Sequence, residues 1–276
     1  MTAPAGGPPP ALFDRARMLA RGEIAVPPTR DAATVALMRD APGGPEVYLL
    51  RRVHAMAFAG GMHVFPGGSV DPADAHAALA WSGPPPEEFA AAFSVEEPLA
   101  RALVCAAVRE TFEESGVLLA GPSAGEVLAD VSTDEWERER VALEAREQTL
   151  PELLSRCGLV LRADLLRPLA HWITPEVEPK RFDTRFFVAR VPAGQVCRAA
   201  GSEADSRLWL RPQEALDRGL GMLPPTAVVL ADLAGARDVE TALAAEWTIA
   251  AMLPRLVVGE DDEVAFLLPG DAGYPV

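Results

Sequence analysis

Apolar and polar positions along the chain fall into short segments that alternate between strand and helix patterns. The stretches ATVALMRD (33–40) and EVYLLRR (46–52) are β-rich, and the APGGP between them is turn chemistry, so they predict a hairpin. MHVFPGG (62–68) reads as another short strand that closes in a Gly-Gly turn. DPADAHAALAW (71–81) predicts a helix with Asp71 as N-cap and Pro72 in first position, broken by SGPPPEEF. SVEEPLARALVCAAVRETFEESG (94–116) is the strongest helical pattern: Ser94 and Glu97 have capping-box spacing and Gly116 is a stop signal. A second, charged helical stretch covers 133–158. LRPLAHWIT (166–174), TRFFVARV (184–191) and DSRLWLR (205–211) read as strands, the last leading into a short helix at 212–219. PPTAVVLADLAG (224–235) and VETALAAEWTIAAML (239–253) predict helices, and RLVVGEDDEVAFLL (255–268) predicts a hairpin whose DDE turn could also be read as an isolated Ca²⁺ loop. The Pro/Gly-rich residues 1–29 read as a tail or loosely packed arm. The alternation implies an α/β or α+β domain with a mixed sheet over 30–276.

Composition narrows the function classes. The chain has 276 residues, 49% apolar and 24% charged, within the range of one enlarged globular domain. A net charge of −15 repels nucleic-acid backbones and argues against a general DNA or RNA binder. Cys105, Cys157 and Cys197 have no metal or redox spacing and read as small buried hydrophobes in a reducing compartment. No apolar run reaches the roughly 18 residues of a membrane span, and no leader pattern is visible, so a cytoplasmic protein without membrane contact is expected.

The helix ending in RETFEESG carries the chemistry. At about 100° per residue, Glu110, Glu113 and Glu114 fall on one face within an arc of about 100°, opposite Val104, Cys105, Val108 and Phe112, with Arg109 beside them. A solvated acidic face is the plain alternative. Yet like charges three and four residues apart repel, and carboxylates at a helix C-terminus oppose its dipole by roughly 0.3–1 kcal/mol each. A divalent cation converts both penalties into attraction, and an all-oxygen donor set suits Mg²⁺ or Mn²⁺.

Arg109, Glu110, Glu113, Glu114, Gly116 and Val117 resemble the C-terminal half of the Nudix box, with Thr111 where an aliphatic residue is usual. GMHVFPGGSVDPAD and HWITPEVEPKRFDTRFFVA are similar to the segments before and behind the box in one branch of that superfamily, the peroxisomal coenzyme A diphosphatases. Two departures stand out. Arg109 lies 41 residues after Gly68, 27 more than the box allows, and the position of the box's first glutamate holds Arg101. An insertion at about 71–95 is therefore expected, a second at about 121–163, and Glu96 or Glu97 as substitute for the missing glutamate.

The resemblance implies an α/β/α Nudix sandwich with a helical C-terminal extension over about 212–276. It implies Mg²⁺- or Mn²⁺-dependent hydrolysis of a nucleoside diphosphate linked to another moiety, with coenzyme A or acyl-coenzyme A as substrate. A broad ADP-ribose/NADH diphosphatase and a non-catalytic nucleotide-sensing domain are the alternatives. Glu110, Glu113, Glu114 and the Gly67 carbonyl are expected as metal ligands and Arg109 as their orienting partner. Glu203 is the candidate for a further carboxylate acting as base or ligand, with Glu176 and Glu178 as rivals. Arg51, Arg52, Lys180, Arg181 and Arg185 are candidates for gripping phosphate, since arginine forks match its oxygens. His54 and His63 lack metal-ligand spacing. Trp81, Phe89 and Phe93 are expected to wall an apolar groove for the substrate's long arm. The acidic helix at 133–147 suits either a homodimer contact or a lid.

Overall fold

Residues 32–38 are buried from both sides, which makes this strand the centre of the sheet. Ala33, Val35 and Leu37 enter one core while Ala36 and Met38 enter another, as the two-residue period of a strand requires. The computed structural model describes residues 10–54, 59–75, 79–198 and 204–275. In chain order it forms helix α1 (Pro10–Ala20) and strands β1 (Thr29–Arg39), β2 (Glu46–Arg52), β3 (His63–Val64) and β4 (Gly67–Ser69). A 3₁₀ turn (Pro72–Ala75) and β5 (Trp81–Ser82) precede α2 (Pro86–Phe93) and the long α3 (Glu97–Ser115). Then come β6 (Ala120–Gly121), α4 (Asp134–Glu144), α5 (Leu150–Arg156), β7 (Val160–Arg162), β8 (Leu166–Ile173), β9 (Arg181–Arg190) and β10 (Ala204–Leu210). The chain ends with α6 (Pro212–Asp217), α7 (Pro224–Leu233), α8 (Val239–Ala244), β11 (Ala251–Met252), β12 (Arg255–Val258) and β13 (Val264–Leu267).

The main sheet has the order β10-β2-β1-β9-β8-β11, with β3 on β2 and β4 on β1. It is mixed: β1 runs parallel to β9 from Thr29↔Arg181 to Met38↔Arg190, and β11 is parallel to β8, while β8–β9, β1–β2 and β2–β10 are antiparallel. Helix α3 packs on one face through Leu103, Val104, Val108 and Phe112, and α7 covers the other through Val229, Leu230 and Leu233. The result is the expected α/β/α arrangement.

Several local expectations change. The arm at 1–29 is not loose throughout: Pro10 starts a helix, and Arg15 Nε donates to the Val177 carbonyl at 2.6 Å. Asp71-Pro72 opens a 3₁₀ turn over Pro72–Ala75, the rest of the expected helix up to residue 78 lying outside the described residues, and Pro86, expected within a breaker, starts α2. Ser94 does not cap α3. It terminates α2 in the left-handed region (φ 54°), and Glu96 takes the N-cap position of α3 without a side-chain bond. Phe89 and Phe93 do not wall a groove, because both are buried against Phe187, with ring centroids at 6.3 and 5.2 Å. Trp81 packs with them on Phe89. The C-terminal extension is helical only in its first half. After Ala244 the apolar run turns extended and adds β11 to the sheet edge. Residues 81–82, 120–121 and 160–162 meet in a small sheet, β5-β7-β6. Cys105 is buried as expected, whereas Cys157 is exposed. Among the described residues no helix is long and apolar enough to cross a membrane.

Candidate active site

Helix α3 is buried along most of its circumference, and its last two turns bring four charged side chains to the one open strip. Gly116 ends the helix in the left-handed region (φ 72°), its N–H bonded to the Phe112 carbonyl. Side chains of Arg109, Glu110 and Glu113 each retain only 13% exposure, which excludes the solvated acidic face. Thr111, in the position usual for an aliphatic residue, is fully buried, and its hydroxyl has no hydrogen-bond partner.

Arg109 organises the cluster. Its Nη1 donates to Glu110 Oε1 at 2.7 Å and reaches Glu113 Oε1 at 3.4 Å. Its Nε and Nη2 form a fork on Asp74, at 3.1 and 2.9 Å, and Nη2 also donates to the Ser69 carbonyl at 2.9 Å. Burial pulls down the Arg109 pKa, but the charges of Glu110, Asp74 and Glu113 outweigh it and hold the guanidinium protonated. Asp74, with 1% side-chain exposure, thus fills the role expected of Glu96 or Glu97. Glu97 instead pairs with Arg101 at 3.3 Å.

The glycine turn fits against this helix. Gly67 N–H donates to Glu114 Oε2 at 2.8 Å. A Cβ on Gly68 would stand 2.5 Å from Glu110 Oε1, and one on Gly67 would stand 2.6 Å from the Ala33 carbonyl oxygen, so only glycine allows both approaches. At the helix C-terminus Arg140 of α4 donates to the Glu113 carbonyl at 2.9 Å and pairs with Glu137 and Glu144. Helix α4 therefore places a buried cation where the dipole of α3 is negative. Trp136 of the same helix packs edge-on against Phe112, at 6.2 Å.

The cluster opens into a cleft of about 1670 Å³, above the roughly 300–1,000 Å³ usual for small-ligand pockets. Arg52 and Lys180 line it, as does Arg30, which the sequence did not single out. The remaining candidate cations do not. Arg51 turns to Asp205 at 2.7 Å. Arg181 donates to the carbonyls of Pro27 and Thr174, at 2.8 and 3.0 Å, and burial lowers its pKa. Arg185 donates to Asp31 at 2.6 Å beside Asp183, so Arg181 and Arg185 belong to the framework rather than to the cleft. Glu176 is paired with Arg255 at 2.9 Å, whereas Glu178 lines the cleft and burial raises its pKa. Glu203 lies outside the described residues. His63 meets the Gly221 carbonyl, away from the carboxylates. In the DDE turn Asp262 is paired with Arg17 at 3.0 Å. Asp74 and Arg140 escaped the sequence reading; the one hint was the acid-rich DPAD turn directly after the glycines.

The solved structure of a NUDIX hydrolase from Alicyclobacillus acidocaldarius superposes with a TM-score of 0.70 at 31% identity, covering 81% of this chain and 99% of that one. The chain belongs to the Nudix hydrolase family of enzymes. Within it, residues 84–221, half of the chain, match the family model of the NUDT19 Nudix domain. The chain is 29% identical to the acyl-coenzyme A diphosphatase NUDT19 of Gallus gallus, over 68% of its own length and 62% of that protein's. It is 30% identical to the putative nudix hydrolase 7 of Caenorhabditis elegans, over 66% of its own length and 53% of the relative's. It thus spans less than two thirds of either relative.

Nudix hydrolases generally use divalent metal ions. Among the described residues no three His, Cys, Asp or Glu side chains form a ready-made chelate. Chemically the donors fit: burial first, then the charge of Glu110, pushes the Glu113 carboxyl up to about 7, against the pull of Arg109. A nearby divalent cation reverses that penalty. In the unfolded chain Glu113 titrates near its ordinary value of 4.5, so the folded form holds the proton more tightly. The stability this contributes is complete below that value and is lost as pH rises through about 7. Without divalent ions the melting temperature should fall between about pH 5 and 8, and Mg²⁺ or Mn²⁺ at pH 8 should raise it. A melting temperature that neither ion moves would remove the metal reading.

Proposed function

We propose that this Nudix enzyme hydrolyses the diphosphate of coenzyme A and its thioesters in a Mg²⁺- or Mn²⁺-dependent reaction. The observation that carries the proposal is the cleft itself: one continuous space joins the Arg109–Glu110–Glu113–Glu114 cluster to cations and to a long apolar surface. The name of the Gallus gallus relative supports the same substrate class. In this reading Glu110, Glu113, Glu114 and the Gly67 carbonyl hold the metal, and Glu203 acts as the further carboxylate. The bound ion supplies charge neutralisation and a more acidic water. The chain's own part is placement. Arg109 fixes two glutamates, the Gly67 N–H fixes the third, and Arg52 faces the cleft where a phosphate can be gripped. Water adds to one phosphorus, the bridging P–O bond breaks, and two phosphate monoesters leave.

The test is turnover of coenzyme A against 3′-dephospho-coenzyme A, ADP-ribose and NADH with Mg²⁺ present. Coenzyme A should lead. Arg52→Ala should cut its margin over the dephospho form by roughly tenfold or more, the scale of one charge-assisted hydrogen bond. Arg51→Ala, whose arginine is turned to Asp205, should leave that margin in place. If coenzyme A ranks last, or if Arg52→Ala does not touch the margin, the proposal fails.

A further inference from the structure

The C-terminal hairpin presents two large apolar side chains that neither core uses. Leu256 of β12 and Phe266 of β13 are directly paired across the hairpin. Both line the cleft, both are half-buried, and both stand outside the two hydrophobic cores. Cross-strand partners on one face form a continuous patch, since their Cβ atoms lie roughly 5 Å apart. Trp172 of β8 and Phe182 of β9 line the same cleft from the sheet, and Leu12 lines it from α1.

Strand order separates this apolar wall from the cations of β2. Arg52 sits on β2 on one side of the central β1–β9 pair, whereas β8 and β11, the latter leading into the hairpin, lie on the other. Glycines 67 and 68, which meet the glutamates, are held on β1 between them. A ligand whose diphosphate lies at the glutamates therefore has Arg52 on one side and the hairpin's apolar pair on the other, while Arg30 and Lys180 line the cleft at the middle strands, Lys180 Nζ 5.2 Å over the Phe182 ring.

The wall is fastened in place. Arg17 of α1 pairs with Asp262 at the hairpin turn at 3.0 Å, and Arg255 pairs with Glu176 at 2.9 Å. Tyr274 Oη donates to the Leu253 carbonyl at 2.8 Å. The hairpin itself lies beyond residues 84–221, the segment that matches the family domain.

We infer that Leu256 and Phe266 form the wall against which the acyl chain of a coenzyme A thioester lies, and that this hairpin sets acyl-chain preference. The inference rests on the coenzyme A reading and adds to it the element that selects among thioesters. The experiment compares kcat/KM of the full chain for coenzyme A, acetyl-coenzyme A and octanoyl-coenzyme A with Mg²⁺. The octanoyl form should exceed the acetyl form by about tenfold, carried by KM, which corresponds to burying fewer than two of the roughly six additional methylenes. Phe266→Ala and Leu256→Ala should bring that ratio towards one. Phe266→Trp, which fills the cleft instead of emptying it, should invert the ratio in favour of the acetyl form, and it provides the test where an alanine variant does not fold. Turnover of coenzyme A with no dependence on chain length, or a dependence that all three variants leave intact, overturns the hairpin's role and leaves the coenzyme A reading standing. No turnover of any of the three overturns both.

Discussion

Glu113→Gln and Glu114→Gln should each lower kcat by roughly a thousandfold, while the melting temperature without metal holds or rises. The size follows from removing one preorganised charged group from a largely buried site, which costs about 10²–10³ in rate. Glutamine keeps the volume and an oxygen able to accept the Gly67 N–H, so the Glu114 variant loses charge and not shape. At Glu113 the substitution removes a carboxylate that burial and Glu110 already disfavour, so the folded protein gains near pH 8 what it loses in metal affinity. The paired measurement is single-turnover hydrolysis with Mg²⁺ and thermal melting in EDTA. A variant that melts earlier in EDTA but turns over normally would show that the carboxylates hold the fold and not the reaction.

The part of this site that was legible in the sequence is the part that depends on helical periodicity. Residues 109–117 fold as their spacing dictates, because i, i+3 and i+4 positions share a face whatever surrounds them. The hairpin read at 33–52 and the strands read at 166–174 and 184–191 were legible for the same local reason, though β1 and β9 start earlier, at Thr29 and Arg181: their largely apolar runs match strands buried on one or both faces. What depended on tertiary contact was not. The phenylalanines of the first insertion are apolar, and composition alone does not say whether they face a ligand or Phe187. Ser94 and Glu97 have the spacing of a capping box, yet α2 and α3 run nearly back to back, and one residue cannot end the first and cap the second. The run 245–253 is apolar enough for either helix or strand, and the open edge of β8 decides the matter by taking β11. The alternation of β9 was readable, but its consequence was missed. Lys180 and Phe182 line the cleft, whereas Arg181 and Arg185 are held by the framework, so only part of the cationic cluster seen in sequence belongs to the site.

The second large effect is expected at Asp74, which sequence spacing could not identify because it lies 35 residues from its partner, across the first insertion. Its two oxygens accept the fork of Arg109, and Oδ2 also accepts the Asp71 N–H at 2.8 Å. Asp74→Ala leaves two buried guanidinium donors without this acceptor. Removing one member of a buried ion pair costs roughly 3–5 kcal/mol. For a chain of this size, at about 2–4 °C per kcal/mol, the melting temperature should fall by roughly 6–20 °C. Asp74→Asn preserves the shape and one acceptor, and it separates folding from positioning. Arg109 then leans further on Glu110 and Glu113, which withdraws both from a metal. The asparagine variant should therefore need more Mg²⁺ for half-maximal activity and lose about 10–100-fold in kcat, the range usual for groups that orient metal ligands from behind. KM measured at saturating Mg²⁺ should change little, since Asp74 is directed at Arg109 and not at the substrate. Asp74→Glu, which restores the charge on a longer arm, should recover part of the Mg²⁺ affinity. An asparagine variant with normal kcat and normal Mg²⁺ requirement would mean that Ser69 and Glu110 alone hold Arg109, and that Asp74 serves the insertion rather than the reaction.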